Sequence, residues 1–184
     1  MLSVAEIRRS LRGVWLLFFG RAEGLAALDR SVEGFWRSFA VIVLLLPLTA
    51  ISVLAVTRGD PDRAFTDLLF QQLPLMALDW VTFPIVLALA AKPLGVAAHY
   101  VTYVVARNWA APITGAILTV PLVLEGAGWV PREGASFLSI VALILVLRYH
   151  YMILRIALKT PVSLSIGLVI ADFCISLLLI GLFG

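Results

Sequence analysis

The sequence predicts an all-α polytopic membrane protein, five transmembrane helices preceded by an amphipathic interfacial N-terminal helical region. Three observations predict it. The 184 residues are 62% hydrophobic and only 14% charged, where a soluble domain has about 45–50% apolar and about 25% charged residues. The mean hydropathy is +1.05. Apolar stretches long enough to cross about 30 Å of hydrocarbon, roughly 20 residues as a helix, recur along the chain.

Residues 1–37 form the first region. Val4, Ile7, Leu11, Val14, Trp15 and Phe18 recur at three- and four-residue spacing, so they share one helical face. Arg8, Arg9 and Arg12 fall on the other side, and after Gly20 a looser stripe runs from Leu25 through Val32 to Trp36. A basic helix with Trp15 on its apolar face, followed by Trp36, suits the surface of an anionic bilayer. The competing expectation is that this face packs against the other helices. The early block VWLLFF (14–19) is too short for the apolar core of a signal peptide, so this region is expected to stay in the mature protein.

Residues 38–184 are expected to hold five spans, at about 38–56, 72–91, 109–124, 136–156 and 162–183. GVAAHYVTYVVA (95–106) has only 12 residues and reads as a separate interfacial or re-entrant piece. Pro47, Pro74, Pro84, Pro112 and Pro121 fall inside the spans and are expected to kink them.

Charge sets the orientation. With the N-terminus cytoplasmic, eleven basic residues fall inside: six before the first span, Lys92 and Arg107 in the second cytoplasmic segment, and Arg148, Arg155 and Lys159 around the third. Only Arg58, Arg63 and Arg132 fall outside. This positive-inside bias gives an external C-terminus, and the composition suggests a bacterial inner (cytoplasmic) membrane.

Ionisable groups within spans cost about 2.5–3.5 kcal/mol each on insertion scales, so each needs a reason. Asp79 lies near the middle of the second span, with Gln72 and Thr82 on its face, and Asp172 in the middle of the fifth, with Ser165 and Ser176 on its side. In VLRYHYMILR (146–155), Arg148 sits six residues before Leu154, ~9 Å at 1.5 Å per residue. It can snorkel to the headgroups, with Arg155 one face-repeat later and Tyr149 and Tyr151 in the interfacial aromatic belt. The alternative is an ion pair with Asp172 or Asp79. His150 points away from both arginines. Ser163, Gly167 and Ala171, spaced four apart, form a small-residue face suited to helix packing.

The single cysteine, Cys174, allows no intrachain disulfide and no cysteine-based metal site, and the two histidines, His99 and His150, are scattered. Neither a phosphate loop, nor HExxH, nor GxSxG occurs. No enzymatic activity, catalytic residue, metal, cofactor or nucleic-acid partner is therefore expected.

An amphipathic N-terminus before five close spans, HYVTYVVARNW (99–109) leading into the third, RYHYMILRIAL (148–158) ending the fourth, and the small-residue-rich PVSLSIGLVIADFCISLLL together resemble the Yip-type family of small five-span membrane proteins, in particular its bacterial relatives. The resemblance covers roughly residues 35–183. Eukaryotic members act in vesicle trafficking and contact small GTPases. Their extended cytoplasmic N-terminal region is largely absent here, so no binding residue carries over.

The first functional expectation is a non-catalytic protein that organises the bilayer or scaffolds a partner. Its partners would be the lipid bilayer, anionic lipids at the N-terminus, and a second copy or another membrane protein. The second expectation is a small permease or transporter subunit using Asp79 and Asp172, and the third a structural subunit of a larger membrane complex. Whether Asp79, Arg148 and Asp172 converge on one cavity discriminates between the first two.

Overall fold

The computed structural model describes residues 2–59 and 64–183, and Arg63, counted above among the external basic residues, lies outside them. Among the described residues the chain is helical and has no strand. Five helical runs are long and apolar enough to cross a membrane: Val32–Arg58, Phe65–Ala90, Ala97–Gly126, Arg132–Leu158 and Val162–Phe183.

The first run is composite. Helix α2 (Val32–Phe39) passes through a 3-10 segment, Ala40–Leu44, into α3 (Leu46–Gly59). The boundary expected at residue 37 therefore falls inside a span, and the preceding unit ends near Ser31, whose hydroxyl accepts from Gly34 N–H and caps α2. Helices α4 (Phe65–Ala90), α5 (Tyr100–Gly126), α6 (Arg132–Ile153) and α7 (Val162–Phe183) complete the bundle. The prolines interrupt none of them: α4 runs through Pro74 and Pro84, and α5 through Pro112 and Pro121.

Helix α5 corrects two expectations. Residues 100–106 belong to the third span as its first two turns, so there is no separate re-entrant segment between α4 and α5. Arg107 accordingly lies within α5 and not in a connecting loop. Tyr103 to Ala110 are all buried, which makes this stretch the centre of the fold.

Helix α1 (Val4–Phe18) packs on that centre. Val14 and Leu17 are fully buried, Ile7, Leu11 and Phe18 half-buried, and all of them join the cluster around Val104, Tyr149 and Ile153. The protein thus covers most of the apolar face that the sequence assigned to lipid. Trp15 and Trp36 stay exposed, as do Arg8, Arg9 and Arg12. The turn after α1 folds back through Gly13 and Gly24. A Cβ on Gly13 would sit 2.6 Å from the Gly24 carbonyl oxygen, so the two backbones touch. Arg37 ties this unit together through Glu6, Asp29 and Glu33.

Around the outside, Phe70, Leu89, Phe137, Ile144, Leu178 and Leu182 are among the exposed apolar side chains, as a lipid-facing surface requires. Helices α3 and α5 approach backbone to backbone at Gly126, where a Cβ would meet Ala55 O at 2.5 Å. The α6–α7 corner is a single π turn, Leu154–Leu158, followed by Lys159 at φ +57°. Arg155, exposed, donates to the Thr160 carbonyl, and the Thr160 hydroxyl donates to Leu154 O at 3.1 Å.

Candidate functional site

All five spans contribute to one cavity of about 720 Å³ inside the bundle. Most of its wall is aliphatic, from Leu48 and Val53 on α3 to Leu179 and Ile180 on α7. Its polar part gathers Asp79, Arg107, His150 and Asp172, one residue each from α4, α5, α6 and α7.

Arg107 and Asp172 are the buried pair. Arg107 Nη2 donates to Asp172 Oδ1 at 3.1 Å, and both side chains are about nine-tenths buried, 10% and 8% exposed. Each is placed by its helix. Arg107 follows Tyr100 by seven residues of α5, and Asp172 follows Val162 by ten of α7. At 1.5 Å per residue these are depths of about 10 and about 15 Å from the same end of the bundle. On α7, Asp172 shares an inward stripe with Ser165 and Leu168. Phe83 of α4 packs against the guanidinium, with its centroid 5.6 Å from Arg107 Cζ.

His150 supplies the other neighbour. Its Nδ1 lies 3.3 Å from Asp172 Oδ2, so both carboxylate oxygens face a nitrogen. The residue that pointed away from both arginines of its own segment points into the bundle.

Asp79 stands apart. Its Oδ1 accepts from the Ser176 hydroxyl at 2.6 Å, and no described cation lies within salt-bridge distance of it. Gln72, one face-repeat earlier on α4, lines the same cavity and is exposed. The other hydroxyls are taken up locally: Ser52 pairs with Thr119 at 2.8 Å, and Thr82 donates to Leu78 O at 2.7 Å. Two buried donors on the lining residues, Arg107 Nε and Trp80 Nε1, have no protein partner.

No family model matches the chain. Nor does any curated protein or solved structure match it. The geometry of this cluster is therefore what bears on function.

Arg148 is not part of it. The side chain pairs with neither carboxylate and donates to the Phe18 carbonyl at 3.0 Å, while remaining exposed. Tyr149, expected in an interfacial belt, is fully buried, and its hydroxyl donates to Val14 O at 2.6 Å. Phe18 ends α1, so its carbonyl lacks an intrahelical donor and Arg148 supplies one, while Tyr149 is buried because α1 packs over it. Ser163, Gly167 and Ala171 are exposed, and a Cβ on Gly167 would meet nothing within 4 Å, so among the described residues this stripe has no packing partner.

Of the intramembrane polar residues the sequence singled out, Asp79, Gln72, His150 and Asp172 line this cavity and Arg148 does not, while Arg107, assigned to a loop, does. The signal was present: Asp172 needed a cation, and Arg107 lies close to an apolar run. Among the described residues no three His, Cys, Asp or Glu side chains gather to hold a metal ion.

Proposed function

We propose that this chain is a small membrane carrier, or the solute-binding subunit of one. The observation that carries this reading is the convergence of Asp79, Arg107, His150 and Asp172, from four different helices, on one cavity. Insertion costs make four such groups in the hydrocarbon expensive. A purely structural role would be served by the neutral pair Arg107–Asp172, and it leaves Asp79 and the cavity without a purpose.

Reconstitution tests the reading. Proteoliposomes on a solid-supported membrane should give solute-dependent currents with at least one class among protons, alkali cations, organic amines, amino acids and organic acids. Asp79→Asn and Asp172→Asn should each abolish them. Folded protein that yields no current and no uptake above empty liposomes for any class overturns the proposal.

The orientation belongs to the same proposal: N-terminus cytoplasmic and C-terminus external, in a bacterial inner membrane. It is supported by the basic residues of the first region, Arg8, Arg9, Arg12, Arg21 and Arg30, against exposed Arg58 and Arg132 at the other side. A C-terminal reporter that is active only in the cytoplasm overturns it. A relation to the Yip-type family is proposed on architecture alone.

A second reading, a scaffold that binds anionic lipid, is favoured by one observation. Trp15, Phe19, Val32 and Trp36 stay exposed beside the arginines of the N-terminal unit. Substituting both tryptophans by alanine should weaken recruitment of anionic lipid without touching solute currents.

A further inference from the structure

We propose that the cavity binds a lipophilic monovalent organic cation, with Asp79 as its counter-charge. This deepens the carrier reading and rests on it.

Charge comes first. Asp172 is engaged on both oxygens, by Arg107 Nη2 at 3.1 Å and beside His150 Nδ1 at 3.3 Å. The Arg107 charge is thereby matched. Asp79 has only the Ser176 hydroxyl, which donates a hydrogen bond but brings no positive charge. A carboxylate in an apolar surrounding is stabilised by a cation beside it. Of the two carboxylates in the lining, Asp79 is the one that no described cation touches directly.

The walls decide what kind of cation. Hard inorganic ions such as calcium take six to eight oxygen ligands. Around Asp79 the carboxylate and one hydroxyl are the oxygen groups in contact, and no metal-holding group forms among the described residues. The lining is mostly leucine and valine with Met76, and Trp80 and Phe173 are its aromatic members, while the hydroxyls of Thr49, Ser52, Thr114 and Thr119 are hydrogen-bonded within the protein. Aromatic rings attract cations most where water is excluded. About 720 Å³ is a small-molecule volume, inside the roughly 300–1,000 Å³ usual for such sites. A large, weakly hydrated cation satisfies charge, size and wall chemistry together, and an anion of the same size satisfies only the last two.

The test uses two probes of nearly the same shape and opposite charge, tetraphenylphosphonium and tetraphenylborate, with the purified full chain in nanodiscs. Saturable binding of tetraphenylphosphonium and none of tetraphenylborate is expected. Asp79→Asn should weaken the phosphonium by about ten- to hundredfold, the range for a charged contact. Asp79→Glu should restore most of the affinity, and Glu133→Gln, at the exposed start of α6, should leave it unchanged. Equal or tighter binding of the borate, or wild-type phosphonium affinity in Asp79→Asn, overturns the proposal. Should Asp79→Asn fail to fold, the contrast between the two probes on the unmodified chain still decides. Absence of phosphonium binding alongside Asp79-dependent currents with another solute overturns the cation class and leaves the carrier standing. Absence of both overturns both.

Discussion

Arg107 Nη2 lies 3.1 Å from Asp172 Oδ1 across 65 positions of sequence, and this contact joins the third span to the fifth inside the bundle. Neither residue is intelligible alone. Arg107 alone would be a buried charge without its carboxylate, Asp172 would keep only His150 beside it, and together the two are a hydrogen-bonded ion pair.

Removing one partner strands the other. Arg107→Met or Asp172→Leu should each destabilise the protein by about 3–5 kcal/mol, the usual cost of an uncompensated buried charge. The double substitution should recover much of that loss, because two apolar side chains of similar volume need no desolvation. Thermal unfolding in detergent checks this. A double variant whose Tm falls by the sum of the two single losses would mean the pair is not what holds α5 to α7.

Three consecutive residues of α6 do three different jobs. Arg148 donates to Phe18 O and so caps the carboxyl end of α1, where a cation also opposes the helix dipole. Tyr149 donates to Val14 O, one turn earlier on α1, and His150 turns inward to Asp172. Tyr149→Phe keeps the ring against Phe18 and deletes only the hydroxyl. It should cost about 1 kcal/mol, a typical net hydrogen bond, and speed amide hydrogen exchange in α1 and not in α7. Unchanged exchange in α1 would show that packing alone docks it.

The spans were legible because hydropathy and length are local properties, and α7 begins and ends where the sequence put it. The start of α5 was not legible, because Arg107 lowers the hydropathy of the run from Tyr100 and its compensation lies 65 positions away. The same non-locality hid Tyr149, whose partner is a backbone carbonyl that no side-chain pattern advertises. Asp79 and Asp172 were singled out by the rule that intramembrane charge needs a reason. That rule names who needs a partner and does not name the partner.

Glycine packing makes a contrasting pair. At Gly24 a Cβ would overlap the Gly13 carbonyl oxygen and press on Leu16, whereas at Gly167 it meets nothing. Gly24→Ala should therefore pry the turn off α1 and cost about 1–3 kcal/mol, as overpacking does. Gly167→Ala should be neutral or slightly stabilising, since alanine favours helix by up to about 1 kcal/mol over glycine. Measured Tm values should separate the two. A large loss at Gly167 would mean that a second chain covers the stripe of Ser163, Gly167 and Ala171, and native mass spectrometry of both variants would then show a change in oligomeric state.

The N-terminal unit should respond to acid through Asp29, which lies before the first span. Its carboxylate accepts from Ser31 N–H at 3.0 Å and from Arg37 Nη2 at 2.6 Å. Hydrogen bonding from Ser31 is the largest cause holding its pKa below the ordinary 3.8, with the Arg37 and Arg9 charges adding to it. The folded value is lower than the unfolded one, so the contribution to stability is present above the ordinary value. It is lost as pH falls from there through the depressed value. The carboxylate is partly exposed, so the effect is small and weakens with salt. An NMR titration of the Asp29 carboxyl should show a midpoint below 3.8 that rises toward it in Ser31→Ala. A midpoint at or above the ordinary value in the unmodified chain would mean that Asp29 does not hold the cap of α2 in solution.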